Sequence, residues 1–379
     1  MFLFHFGTHP ALSLYEIQRR FSEINIETFG KNYGLTTHDL DEPQKTLNVL
    51  GGTPYISRVL GTIKNPQDAL ELAQVAIQSS SLTDKKINIA FSSLDKRFVV
   101  HYIAFDLKKK LRSLGIKCRI IIGKDNQIHA AHIIHENLID EGFHFWIISE
   151  GGKTYLTQTI AVQNIDAYSL RDYEKPFRDA KNGMLPPKLA RMMINFAHPS
   201  HKILDPFCGT GTTLLEGIDL EIELDGSDAE MRLVEGAKEN VEWFLNTTHR
   251  KNENIHILQC EAERLSKSIT DTYDAIVTEG TLGPAYASFP RPDHIEKNFR
   301  YFTALYKNFF QEAGKILNNQ GFVVICFPYY HSSEENISFF EQFRKTLMYF
   351  DWAPLSKPLL YGRPDQIVWR EIVILQKTK

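Results

Sequence analysis

The hydrophobic pattern of the chain falls into two blocks of different rhythm. Up to about residue 165, short apolar runs mix with amphipathic stretches. A strand opens the chain, a turn follows at 7–10, and a helix begins at Ser13. Asn65-Pro66 has the form of a helix start, and that helix runs to about Ser79. The runs at 87–91, 117–122, 143–148 and 154–161 read as strands. The stretches 98–114 and about 130–137 read as helices, the first with its charges on one side.

From about residue 200 the alternation becomes regular. The short stretches 202–205, 223–228, 255–258, 273–279 and 321–327 read as strands, the second ending in an acid. Between them, helical periodicity begins at Thr212 and recurs over 229–245 and 295–317. In 229–245, Met231, Val234, Ala237 and Val241 form one apolar stripe. A helix over about 334–350 and two strands around the turn 362–365 end the chain. Strands alternating with helices predict a parallel α/β sheet in this block, and the mixed first block predicts an α+β unit.

Between the blocks lies 162–197, where Pro176, Gly183, Pro186 and Pro187 mark a linker entering a helix. The expected boundaries are 1–60, 61–165, a linker at 166–182, and 183–379. No internal repeat or low-complexity tract is visible. The length of 379 residues with 43% hydrophobic content suffices for two or three cores. The four cysteines, at 118, 208, 260 and 326, form neither a metal-spaced pair nor a secreted framework, so no metal is expected. Cys208 reads as a small residue in a tight turn. With no basic-plus-apolar leader and no apolar run long enough for a bilayer, the expectation is a cytoplasmic enzyme with no membrane partner.

The net charge of -3 argues against wholesale nucleic-acid coating but not against a local patch. Over 85–124 eleven Lys and Arg residues face only Asp95 and Asp106. Arg97, Lys108, Lys109, Lys110, Arg112, Lys117 and Arg119 are therefore candidate phosphate contacts. The competing reading is a solvated, lysine-rich helix face.

The most informative stretch is K-I-L-D-P-F-C-G-T-G-T-T, residues 202–213. A strand ends in Asp205 and passes into a loop with Gly209 and Gly211, which let backbone approach a ligand. A phosphate loop would need Lys-Ser/Thr after the second glycine, and Thr212-Thr213 stand there. A dinucleotide fingerprint would need a third glycine where Leu214 lies. What remains resembles motif I of the class I S-adenosylmethionine methyltransferases, in wording typical of nucleic-acid N-methylases. The resemblance implies a Rossmann-like, seven-stranded methyltransferase sheet. It also implies cofactor contacts from Asp205, Pro206, Phe207, Gly209, Thr210, Gly211 and Thr212. Asp228 ends the second strand near the ~20-residue offset of a ribose-binding acid, with Ala229 beside it. Asp225 reads as a solvated turn residue. By resemblance, Glu261 and Ala262 stand where this fold contacts adenine.

Amino-methylases of nucleic acids carry D/N-P-P-Y/F after the fourth strand. Here Glu279, Gly280, Thr281 and Leu282 occupy that place, which implies Glu279, Gly280 and Thr281 as the catalytic turn. Loss of both prolines predicts a looser turn. The missing ring leaves Tyr286, Phe289, Phe327 and Tyr329 as candidate base-stacking groups.

Upstream, element order and L-K-K-K-L-R-S-L-G-I-K-C-R-I resemble a small ferredoxin-like piece followed by a THUMP RNA-binding domain. The segment R-D-Y-x-x-P-x-R-D leading to G-M-L-P-P-K-L-A is similar to the region before motif I in tRNA guanine-N2 methyltransferases acting on guanine-10. There it closes over the cofactor, which implies contacts from Met184 and Leu185. The expected function is S-adenosylmethionine-dependent methylation of a guanine amine in tRNA. The alternatives are a DNA amine or ribose hydroxyl as target, or an inactive RNA-binding protein that keeps cofactor affinity. Oligomeric state is left open.

Overall fold

The computed structural model describes residues 1–179, 184–198, 202–250 and 254–378. Residues 180–182 of the expected linker, and Gly183 at the start of the last expected block, lie outside the described residues. The chain divides into two compact units, Met1–Asp166 and Ala167–Lys379.

The first unit is built on one eight-stranded sheet. Its elements are β1 (Phe2–His5), α1 (Pro10–Arg20), β2 (Glu27–Phe29), β3 (Tyr33–Thr36), α2 (Pro43–Asn48), β4 (Tyr55–Thr62), α3 (Pro66–Gln78), β5 (Ile87–Ser93), α4 (Val100–Ser113), β6 (Cys118–Ile121), α5 (Ala130–His135), β7 (Gly142–Glu150) and β8 (Lys153–Val162). The strand order is β2-β3-β1-β4-β8-β7-β5-β6. Residues 2–62 thus form a strand-helix-strand-strand-helix-strand half, which β4 joins to the second half by antiparallel pairing with β8. The first helix starts at Pro10 rather than Ser13, because proline suits the first helical turn. A capping box fixes α3: Asn65 Oδ1 accepts from the Gln67 and Asp68 amides, and Asp68 accepts from the Asn65 amide.

The second unit runs α6 (Ile165–Ser169, entering from the first unit), α7 (Pro187–Ala197), β9 (Lys202–Asp205), α8 (Thr212–Asp219), β10 (Glu223–Asp228), α9 (Met231–Thr248), β11 (Ile257–Gln259), α10 (Leu265–Ser268), β12 (Tyr273–Thr278), α11 (Pro292–Ile316), β13 (Leu317–His331), β14 (Asn336–Ser338), α12 (Phe339–Tyr349), β15 (Trp352–Pro354), β16 (Leu359–Tyr361) and β17 (Val368–Lys377). The main order is β11-β10-β9-β12-β13-β17-β15, with β14 on β13 and β16 on β17. β9 to β13 are parallel, and β17 runs antiparallel against β13. This is the Rossmann-like methyltransferase sheet with its reversed strand. Strand order turns at β9, so the carboxyl ends of β9, β10 and β12 share the crevice where such sheets bind ligands.

Buried Phe302, Tyr306, Phe309, Phe310 and Phe339 pack α11 and α12 on one face of the sheet. Asp225 corrects the reading of a solvated turn residue. It lies buried inside β10, where Lys202 Nζ (2.8 Å), the Tyr273 hydroxyl (2.7 Å) and the His256 amide (2.8 Å) reach its carboxylate. Among the described residues no helix is long and apolar enough to cross a membrane.

Candidate active site at the carboxyl edge of the second sheet

β9 ends in buried Asp205, and the chain then turns through Gly209 (φ 51°) and Gly211 (φ 81°) into α8. Both glycines occupy the left-handed region, where a side chain is strained. The Gly209 amide donates to Asp228 Oδ2 and the Glu230 amide to Asp228 Oδ1, each at 3.0 Å. Two backbone donors therefore aim the Asp228 carboxylate, and each oxygen keeps acceptor capacity for a ligand hydroxyl. Burial raises the pKa of Asp228 above its ordinary value. Burial also pushes Asp205 up to about 6, opposed by the Thr278 and Thr213 hydroxyls and the Phe207 amide. Because Thr278 ends β12, these contacts tie the motif I loop to the strand that delivers Glu279.

The segment before α7 is stapled to this loop. Asn240 of α9 accepts from the Phe177 amide and donates to the carbonyls of Phe177 and Thr210, at 2.8–2.9 Å. Gly236 leaves room for the Phe177 ring, since a Cβ there would come within 2.1 Å of it. Asp179 pairs with Arg232 at 2.9 Å. Lys175 is 3% exposed and directs Nζ at the Thr212 (3.0 Å) and Thr210 (3.4 Å) hydroxyls. Behind them, buried Arg171 and Arg191 bind opposite oxygens of Glu216 at 2.5 and 2.7 Å, and both also pair with Asp219. This network fixes Arg171 against α7 and α8.

Glu279 follows β12 and lines the same cleft as Asp205, Phe207, Thr210 and Leu185. Its Oε1 receives both Nε and Nη2 of Arg370, each at 2.5 Å, from β17. Oε2 has no hydrogen-bond partner among the described residues. The turn that follows is not loose, which corrects the expectation from its missing prolines. The buried Tyr306 hydroxyl accepts from the Thr281 amide (2.9 Å) and donates to the Thr281 carbonyl (3.0 Å). Gly280 has φ 67°, and a Cβ there would lie 2.6 Å from that hydroxyl. Proline at 280 could not adopt that φ, and proline at 281 would lose the amide. Phe327 is fully buried in the core against Tyr306, so it cannot stack on a base.

The structure brings Met184, Leu185, Asp205, Phe207, Gly209, Thr210, Thr212 and Glu279 around one cleft. Pro206 and Gly211 belong to the same loop, and Ala229 follows Asp228 at the end of β10. Glu261 and Ala262 follow β11; the Cys260 amide binds the Asp228 carbonyl, while Glu261 faces outward to pair with Arg264. In the first unit, Arg97 is clamped on Asp95, Lys109 pairs with Asp106 and Arg119 with Glu136. Lys108, Lys110, Arg112 and Lys117 make no ion pair among the described residues, and Tyr102 and Phe105 stand exposed on α4. Sequence reasoning missed Lys175, Asn240, Tyr306 and Arg370. An arginine within the apolar run of β17 was a legible signal for the last; the others carried none.

Residues 175–350 match the family described as UPF0020, RMKL-like, methyltransferase domain. A tRNA (guanine(10)-N2)-dimethyltransferase of Methanothermobacter thermautotrophicus is 30% identical over 185 residues, 48% of this chain and 49% of that protein. The namesake from Methanocaldococcus jannaschii is 28% identical over 165 residues, 42% of this chain and 40% of its own. The match thus spans about half the length of these curated relatives or less. Among solved structures, TrmN from Thermus thermophilus aligns with a TM-score of 0.56 at 14% identity over 100% of both chains. A putative methyltransferase, SMU.472, complexed with SAH, gives 0.51 at 12% identity over 98% of this chain and 97% of that one. The second unit has a class I methyltransferase fold, and the chain is similar over part of its length to proteins named tRNA (guanine(10)-N2)-dimethyltransferase.

Proposed function

We propose that the chain is an S-adenosylmethionine-dependent methyltransferase acting on the exocyclic amine of a guanine in tRNA, of the guanine-10 type. One observation carries this reading. Three adjacent parallel strands end at one crevice and deliver there a glycine loop, an oriented acid at Asp228 and a carboxylate at Glu279. The cleft fits the cofactor: glycines allow close approach, and Asp228 offers acceptors for ribose hydroxyls. When bound, the cofactor supplies an electrophilic methyl group. The solved relative that holds SAH and the curated relatives' names support both cofactor and substrate.

In this reading Glu279 Oε2 accepts a hydrogen from the guanine amine and stabilises the positive charge that develops on it. Arg370 holds the other oxygen, and the Tyr306 clamp fixes the backbone that carries the carboxylate. Alignment then supplies most of the rate. Residues 1–60 and 61–165 serve as a ferredoxin-like piece and a THUMP-like RNA-binding domain, with the unpaired bases of α4 and Lys117 on phosphates. A tRNA substrate agrees with a cytoplasmic enzyme.

The test is transfer of labelled methyl to tRNA, with mass spectrometry of the nucleosides. N2-methylguanosine or its dimethyl form is the expected product. Methylation of a ribose or of DNA would support a different target, with Glu279 as base. The identity of the methylated nucleoside separates the two; Glu279→Gln should impair both, because Arg370 claims the single amide oxygen and turns the NH2, a donor, towards the substrate.

A further inference from the structure

We propose that Lys175 sets the polarity of the Thr210 and Thr212 hydroxyls so that this end of the cleft binds the amino-acid carboxylate of the cofactor. The proposal rests on the reading of the cleft as an S-adenosylmethionine site. It assigns Lys175 a positioning role.

The side chain of Lys175 lies 97% out of solvent, yet it forms no ion pair among the described residues. Its two contacts are the hydroxyls of Thr212 and Thr210. An ammonium group can only donate. Each threonine oxygen therefore accepts from Nζ, which leaves its own O–H proton free to point elsewhere. Both threonines line the cleft. Thr212 is also the first residue of α8, so the unpaired amides of that helix end add positive potential.

The groups that act on Lys175 from farther away do not neutralise it. Burial lowers its ammonium to about 8, with Asp172 and Glu216 opposing and Arg178 adding to the fall. Glu216 is already held on both oxygens by Arg171 and Arg191. A buried cation without a counter-ion is costly, and the missing partner is an anion. The cofactor carries one anionic group, its carboxylate. Asp228, an acid suited to hydroxyls, is held by the Gly209 amide at the end of the adjacent strand.

The experiment compares two ligands by calorimetry on the full chain. S-adenosylhomocysteine carries the carboxylate; 5′-methylthioadenosine keeps the adenosine and thioether but lacks the amino-acid part. Lys175→Met is expected to weaken S-adenosylhomocysteine about 10- to 100-fold and to leave methylthioadenosine within about twofold. Thr212→Val should weaken S-adenosylhomocysteine selectively as well, and the double variant should be little worse than Lys175→Met, since both act through one contact. Without ligand, the melting temperature of Lys175→Met should hold or rise, because an uncompensated buried charge is gone. Equal losses for both ligands, or a lowered melting temperature with them, would make Lys175 a structural prop and overturn the proposal. Unchanged affinity for both overturns it too. If the wild type binds neither ligand, the cofactor reading of the cleft fails first and takes the proposal with it.

Discussion

Replacing Arg370 by methionine removes the guanidinium from Glu279 while keeping most of the side chain's volume. Breaking a fully buried pair costs about 3–5 kcal/mol, and an exposed pair is worth about 0–1. Here the side chains are 12% and 21% exposed, so a cost near 2 kcal/mol is expected. For a unit of this size that corresponds to a fall of about 4–8 °C in melting temperature. Glu279→Gln leaves the guanidinium without its charge partner and should cost somewhat less. The double variant Arg370→Met, Glu279→Gln should then be more stable than the sum of the singles implies, with a coupling of about 1–2 kcal/mol. Activity divides differently. Arg370 does not touch the motif I loop, so S-adenosylhomocysteine should bind Arg370→Met as tightly as it binds the wild type. Methyl transfer at saturating cofactor should fall about 10- to 100-fold, because a carboxylate free to swing loses its alignment. Single-turnover transfer and thermal melts on the four proteins complete the cycle. Additivity of the singles to within about 0.5 kcal/mol would refute the claim that these groups act as a pair. Full transfer by Arg370→Met would refute the positioning role.

Three further outcomes follow from the same structure. Replacing Gly280-Thr281 with Pro-Pro imitates the amino-methylase wording, yet it should destabilise the second unit by about 3 kcal/mol or more and abolish transfer; a stable, active variant in a melt and a methylation assay would contradict the Tyr306 clamp. Burial lowers the His5 and His144 rings from 6.5 to about 3, so the folded first unit takes up fewer protons than its unfolded form. Its stability is therefore complete above about pH 6.5 and falls towards pH 3 at about 1.4 kcal/mol per pH unit for each ring; denaturant melts at pH 7.5 and 5 should show this, and His144→Asn should flatten the slope. Changing Lys108, Lys110, Arg112 and Lys117 to Glu should remove tRNA binding and its salt dependence in a gel shift while leaving cofactor binding intact; unaltered binding would return these residues to a merely solvated surface.

Legibility in the sequence followed the range of the interactions. The loop at 205–211 and the acid at Asp228 could be read because glycines, a strand end and a fixed offset are local features. The strands 202–205 and 223–228 match the structure to the residue, since each ends in an acid at the turn that leaves the sheet. β2, β3 and β4 left little trace: the first two have three or four residues, and β4 is broken by register shifts near Ser57 and Gly61. The pair Glu279–Arg370 spans 91 residues of sequence, and no periodicity reports such a contact. Asp225 shows the converse failure. A charge in a short strand looks solvated until its partners, Lys202 and Tyr273, are brought in from β9 and β12.

The seam between β4 and β8 has a consequence for how the first unit can be altered. Thr62 lies opposite Tyr155, and the Ile63 amide binds the Thr154 carbonyl at 2.9 Å. The chain therefore leaves β4 at 62 and returns beside it as β8 some ninety residues later, so that α3 through β7 form an excursion with adjoining ends. A tight hairpin turn could bridge β4 directly to β8, and the closure entropy of so short a link is small. The cost would fall on β8, which would lose β7 and become an edge needing charge or cover. Seen this way, the base-rich half occupies a socket. Another domain whose ends emerge side by side could be grafted there without redrawing the strand-helix core of residues 2–62.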